Sequence, residues 1–215
     1  MKRFILWDND GVLVDTEPWY FKARQRALGE LGVQLDEETY QKRMVRGASS
    51  WELAEQAGIA PERIVATRQL RDAYYQTYLA QEAIEIPGVE QVLAELARDS
   101  AVSMAIVTTS TRAHFDVIHR NTNVLRFMDF VLTREDYVSS KPNPEPYLLA
   151  LSRFGASAEE CLVVEDSERG LRAAIAAGIH CAVVHNAFTA GHDFTGATHV
   201  LDSIDELPGI IRGRH

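Results

Sequence analysis

From residue 102 onward, short apolar runs alternate with amphipathic helical patterns, and this alternation constrains the fold more than any other feature. Val102–Val107, Phe130–Leu132, Cys161–Val164 and Cys181–Val184 are brief, β-rich and bounded by polar, Gly or Pro residues. Phe4–Trp7 is a further run of the same kind at the start. Between them lie helical stripes: Leu148 and Leu151 before Gly155, and Leu171, Ala174 and Ile175 before Gly178, each Gly standing where a helix stops. Strands that alternate with helices predict βαβ units, hence a parallel sheet covered on both faces. Such sheets place ligands at the carboxyl ends of their strands.

Residues 16–86 read differently. Thr16 before Glu17-Pro18 opens a helix, and no β-type run follows until Ile86-Pro87-Gly88. Gly58-Ile59-Ala60-Pro61 breaks one helix from the next, and Leu70, Ala73, Tyr74, Thr77 and Tyr78 fall on a helical stripe. Val89, Val92, Leu93 and Leu96 then begin an amphipathic helix leading to the next strand. The expected architecture is an α/β, Rossmann-like parallel sheet core (1–15 and 87–215) with an inserted all-helical cap (16–86).

The balance of 22 Lys+Arg against 31 Asp+Glu leaves a charge of −9. That argues against nucleic acid, whose binding depends on Lys and Arg neutralising phosphates. The first acids arrive four apolar residues into the chain, too soon for a signal peptide, and no run approaches the ~18 residues of a membrane span. The two cysteines, Cys161 and Cys181, sit in apolar runs without metal-ligand spacing. A reduced, cytoplasmic protein with no membrane partner is expected; the sequence leaves the oligomeric state open, a monomer among the options.

The strand Phe4–Trp7 runs straight into Asp8, Asn9, Asp10 and Gly11. Two carboxylates one residue apart at a strand end are costly unless something positive lies between them. A solvated acidic turn is one reading. A calcium loop is another, but Leu6 would have to be its first ligand, and a strand instead of a helix precedes it. The third is an aspartate nucleophile beside an aspartate acid/base, suited to phosphoryl transfer.

The rest of the chain bears on that choice. Thr108, Thr109 and Ser110 follow the strand Val102–Val107 and offer hydroxyls and loop N–H groups, although turn and cap roles are common for such residues. Lys141 lies between a strand and a helix, its backbone stiffened by Pro142 and Pro144. Glu165 and Asp166 follow another strand and precede a helix with Ser167 and Gly170 in its first turn. They suit helix capping, or magnesium coordination by hard carboxylate oxygens.

In combination, DNDGVLVDTE (8–17), VTTS (107–110), KPNPEPY (141–147) and VVEDSERGLRAAIAAG (163–178) resemble, in order, the four motifs of the haloacid dehalogenase superfamily. The chain is similar to its helical-capped β-phosphoglucomutase and phosphoglycolate phosphatase-like members. The resemblance implies that Asp8 is the nucleophile and Asp10 the general acid/base. Thr108 and the Thr109 N–H would bind phosphate beside Ser110, and Lys141 would stabilise charge. It implies Mg²⁺ held by Asp8, the Asp10 main-chain carbonyl and Asp166, with Glu165 acting directly or through water. The implied reaction is hydrolysis of a small, sugar-like phosphorylated metabolite through an aspartyl-phosphate.

Within the family an acid at position 10 suits phosphomonoesters, because an alkoxide leaving group needs a proton. Sugar-phosphate mutases are expected to carry a His and an Arg where this chain has Tyr20 and Ser50, which disfavours that alternative. A non-catalytic metal-binding protein is the other. Substrate choice would rest with the inserted segment, where Trp19, Tyr20, Arg46, Ser49 and Arg71 are candidates, each also explicable as helix packing or surface charge. His114 and His119 flank a helix with no evident chemistry. Asn186, His192 and Asp193 fall where they could border the site. Asp202, Ser203 and Glu206 read as caps of a short last helix.

Overall fold

The structure, a computed structural model, describes residues 2–45 and 48–213. In chain order, β1 (Phe4–Trp7) is followed by helices α1 (Glu17–Gly29), α2 (Glu37–Val45), α3 (Glu52–Gln56), α4 (Pro61–Gln81) and α5 (Val89–Leu96). Then come β2 (Ser103–Val107), α6 (Arg112–Ile118), β3 (Phe130–Leu132), α7 (Glu145–Phe154) and β4 (Cys161–Glu165). The chain closes with α8 (Glu168–Ala176), β5 (His180–Val184), β6 (His199–Leu201) and α9 (Leu207–Ile211).

The six strands form one parallel sheet in the order β3-β2-β1-β4-β5-β6. It is the Rossmann-like α/β core expected from the alternation. Side chains alternate across it. Ile5, Trp7, Ile106, Leu162 and Val164 face one layer, with Leu93 and Leu96 of α5, Phe115 of α6 and Leu207 of α9. Leu6, Val107, Val163 and Cys181 face the other, with Tyr147 of α7 and Leu171 and Ala174 of α8. Burial on both faces explains why these strands read as continuous apolar runs. Each fully buried aliphatic side chain contributes about 1.5–3 kcal/mol, and Ile5, Leu6 and Trp7 of the central strand are all completely covered.

This order matters for chemistry. Successive connections place β2 and β3 on one side of β1, then cross to β4 on the other. The carboxyl ends of β1 and β4 therefore lie at the point where strand order reverses, the position at which open α/β sheets bind ligands. Trp7 pairs with Val164, and the Asp8 N–H donates to the Val164 carbonyl at 2.9 Å. Asp8 and Glu165 thus leave adjacent strands at the same level. Strand β6 carries too little apolar pattern to be read from sequence. It is an edge strand with Val200 exposed.

The chain divides into two compact units: 1–15 with 85–215, and 16–84. Where the Ile86-Pro87 punctuation suggests a boundary, the first unit in fact resumes at Glu85, which forms an antiparallel bridge with Val14. In the second unit α1 packs on α4. The stripe Leu70, Ala73, Tyr74, Thr77 and Tyr78 is not the buried face of α4. Ile64, Thr67, Tyr75 and Leu79 are buried, while Leu70, Ala73 and Thr77 are exposed. The helix turns its aromatic ring inward: Tyr75 meets the Tyr20 ring of α1 edge-on at 5.1 Å.

Candidate active site

The residues that follow β1, β2 and β4 converge. Asp8 begins the loop after β1, and its Oδ1 accepts from Lys141 Nζ at 2.6 Å. The same ammonium donates to Glu165 Oε1 at 2.7 Å and to the Val107 carbonyl at 2.8 Å, so its three hydrogens all have acceptors. Burial alone would lower the Lys141 pKa, but the charges of Asp8 and Glu165 raise it above its ordinary value. It is a fixed cation. Burial also pushes Glu165 upward, and Lys141, Tyr147 and Ser167 outweigh that and hold it low. Asp8 goes the other way, to about 7, because burial and the negative Glu165 exceed what Lys141 returns.

Glu165 is saturated. Oε1 accepts from Lys141 and from Tyr147 Oη at 2.7 Å, and Oε2 accepts from the Asp166 and Ser167 amides and the Ser167 hydroxyl. Gly170 in the first turn of α8 makes room for it, since a Cβ there would overlap the Glu165 carboxyl group. Ser167 caps the helix, its hydroxyl accepting from the Gly170 N–H. The sequence alternatives of capping and metal chemistry are thereby divided between neighbours. Ser167 is the cap, Glu165 anchors Lys141, and Asp166 turns toward the β1 loop. Asp166 Oδ2 accepts from Asn186 Nδ2 at 2.8 Å, and a side chain on Gly11 (φ +85°) would collide with that carboxylate.

Carboxylate oxygens of Asp8, Glu165 and Asp166 lie within 4.8 Å of one another, and all three residues are buried. One ammonium faces three buried carboxylates, which leaves negative charge that a divalent cation would neutralise. The all-oxygen donor set fits a hard cation. Since both Glu165 oxygens are already engaged, Asp8 and Asp166 are the better-suited direct donors, and Glu165 fits a role behind them.

Asp10 lies across the loop. Its Oδ2 accepts from Ser110 Oγ at 2.8 Å, Thr108 Oγ1 at 3.2 Å and Asn9 Nδ2 at 3.4 Å. Thr108 is fully buried, its hydroxyl accepts from the Ser110 N–H at 3.0 Å, and Tyr137 Oη donates to its carbonyl at 2.8 Å. The Thr109 hydroxyl receives only a long bond, 3.5 Å, from Arg169. The loop itself is held by the Asn9 carbonyl, which accepts the N–H groups of Leu13 at 2.9 Å and Val14 at 3.1 Å. Asp8, Lys141, Glu165 and Asp166 form one cluster, Asp10, Thr108 and Ser110 form a second bonded group, and the Asp10 charge acts on Asp8.

The helical-unit candidates have different partners. The Tyr20 hydroxyl accepts from both Arg24, at 2.8 Å, and Arg71. The Arg71 guanidinium lies over the Tyr20 ring, 4.6 Å from its centre. Ser49 accepts through its carbonyl from Arg43, and its N–H donates to Glu52. Trp19 stands 6.2 Å from the Tyr78 ring with Lys22 over its face. Arg46 lies outside the described residues.

Of the three residues that could border the site, Asn186 does so through Asp166, whereas Asp193 is exposed and bonds Thr195. His192 Nδ1 accepts from the Glu168 N–H at the start of α8. Tyr147 had only its place in KPNPEPY to recommend it. Asn9 is fully buried, and His119, expected to stand idle at a helix end, is buried with Nε2 2.7 Å from Asn9 Oδ1. Asn9, set between Asp8 and Asp10 beyond the end of β1, carries no local mark of that partner. Both cysteines are buried and free, and no helix among the described residues is long and apolar enough to cross a membrane.

Comparison with known proteins places this geometry. A family model described as haloacid dehalogenase-like hydrolase matches residues 5–184. Protein CbbY of Cereibacter sphaeroides is 28% identical over 221 residues, covering 98% of this chain and 96% of that protein. A phosphorylated carbohydrates phosphatase of Thermotoga maritima is 28% identical over 190 residues, 85% of each chain. A crystal structure of a CbbY variant from Rhodobacter sphaeroides, in complex with xylulose-(1,5)bisphosphate, superposes with a TM-score of 0.82. It has 27% identity and covers 96% of both chains.

Proposed function

The chain belongs to the haloacid dehalogenase-like hydrolases, and from that premise we propose that it is a magnesium-dependent phosphatase of small, sugar-like phosphomonoesters. The observation that carries this reading is the Lys141 ammonium held between Asp8 and Glu165, with Asp166 beside them, where strand order reverses. The names of the relatives, a phosphatase of phosphorylated carbohydrates and a protein crystallised with a sugar bisphosphate, support the substrate class.

Each residue has a task that its surroundings suit. Asp8 attacks phosphorus in line, and its carboxylate is kept in one rotation by Lys141. Asp10 gives a proton to the departing alcohol, leaving a phosphorylated Asp8. Asp10, now a base, takes a proton from the water that releases inorganic phosphate. Thr108 and Ser110 orient Asp10 through their hydroxyls, while the N–H groups of the loop at Thr109 and Ser110 are assigned to phosphate oxygens. Asp8, Asp166 and the Asp10 main-chain carbonyl would hold Mg²⁺, with Glu165 anchoring Lys141 behind them. When bound, the ion offsets repulsion between the Asp8 carboxylate and an anionic phosphate. Substrate choice falls to the inserted helical segment, with Tyr20, Arg46, Ser49 and Arg71 as the selecting residues.

A panel of sugar phosphates, with p-nitrophenyl phosphate as the generic probe, tests the reading. Inorganic phosphate should be released in the presence of magnesium and not in EDTA. Full activity in EDTA, or no release from any member with magnesium, would overturn it.

A further inference from the structure

We infer that His119 is a positioning residue for Asp10, acting through the buried side chain of Asn9. The inference rests on the acid/base role proposed for Asp10.

Asn9 is completely buried, so its amide must place oxygen and nitrogen correctly or leave a polar atom without a partner. His119 settles the direction. Its Nδ1 is 2.8 Å from Thr122 Oγ1 and its Nε2 is 2.7 Å from Asn9 Oδ1. With the ring neutral, which burial favours by lowering its pKa to about 4, a single proton on Nε2 satisfies both contacts. The Thr122 hydroxyl donates to Nδ1, and Nε2–H donates to the Asn9 oxygen. The Asn9 amide nitrogen is then directed at Asp10 Oδ2, 3.4 Å away.

That oxygen already accepts from Ser110 and Thr108. Three donors on one oxygen fix the rotation of the carboxylate, and proton transfer to a leaving group depends on that rotation. The Phe115 ring, 4.4 Å from the imidazole, holds His119 from another side. The line from Thr122 through His119 and Asn9 therefore ends on the group that handles the proton.

A packing role and a positioning role predict different kinetics. An alkoxide leaving group needs the Asp10 proton, whereas p-nitrophenolate leaves largely without one. His119→Phe keeps a ring and removes the donor. It should lower kcat/KM for the best sugar phosphate of the panel by roughly 30-fold, a part of the roughly 10²–10⁴-fold that a general acid supplies in full. For p-nitrophenyl phosphate the loss should be no more than about threefold, because little proton transfer is required. His119→Gln retains an N–H donor at a similar reach and should recover most of the loss. Equal losses on both substrates, an unaffected His119→Phe, or a His119→Gln as impaired as His119→Phe would each overturn the inference. Asp10→Ala serves as the reference and should show the same split between substrates, only larger. If it shows none, the acid role of Asp10 fails and the inference fails with it. If it shows the split and His119→Phe does not, the inference alone fails.

Discussion

Two clusters of charge show how differently the two units of this chain treat polar groups. In the α/β unit, acids outnumber bases: Asp8, Glu165 and Asp166 gather around the single ammonium of Lys141, all of them buried. In the helical unit, bases converge. Arg24 and Arg71 both donate to the Tyr20 hydroxyl, and Arg24 lies over the Tyr20 ring at 4.8 Å. The first cluster has short charge-assisted bonds to strand ends and a rigid sheet beneath it. The second is held by guanidinium–ring stacking, two bonds to a phenol and the Arg71–Asp72 ion pair at 2.9 Å, with no strand end beneath it. The difference suits a division of labour, with chemistry on the sheet unit and substrate choice on the helical one.

Asp8→Asn cuts the comparison deepest. Turnover should fall by at least about a thousandfold, as for nucleophiles generally, and phosphate release under saturating substrate measures it. Normal activity would sink the assignment of the acidic cluster. Lys141→Met should come next. It leaves Asp8 and Glu165 buried without their cation, and breaking such a pair costs about 3–5 kcal/mol, readable by urea titration. Lys141→Arg should not restore activity, because a planar fork cannot reproduce three bonds from one compact ammonium.

A smaller effect concerns pH. His119 is held below its ordinary pKa of 6.5, at about 4, by burial. The unfolded chain therefore binds a proton that the folded chain refuses. Its contribution is complete above about pH 6.5 and is lost as pH falls toward 4. Stability of the wild type should drop over that window by up to about 3 kcal/mol, and less in His119→Gln. Equal acid sensitivity of the two proteins would contradict this. The least change is expected from Tyr20→Phe, which removes the hydroxyl on which Arg24 and Arg71 meet. KM for the preferred sugar phosphate should rise about three- to tenfold, worth roughly 1 kcal/mol, with kcat nearly kept. A fall in kcat with KM unaltered would erase the contrast between the clusters.

The sheet was largely legible because β1, β2, β4 and β5 are buried on both faces and so declare themselves as uninterrupted apolar runs. The acidic loop was legible because its residues are contiguous and end a strand. What escaped depends on distance along the chain. His119 meets Asn9 across 110 residues, and Arg71 meets Tyr20 across 51. Nothing local in either segment marks its partner. The buried face of α4 is not given by its stripe for a related reason. A helix with few strong apolar residues takes its orientation from what it packs against, here the Tyr20 side of α1, more than from its own periodicity.

The bridge between Val14 and Glu85 has a consequence for ancestry and assembly. It pinches together the two points where the chain departs from the sheet unit and returns to it, so segment 16–84 is a loop closed at its neck. Lengthening such a loop is cheap, about 0.6 kcal/mol for each doubling, and leaves the strand register untouched. Helices can thus be exchanged, enlarged or trimmed at this neck over evolutionary time while the sheet keeps folding as before. New specificities could be recruited by grafting there, without redesigning the catalytic half of the protein.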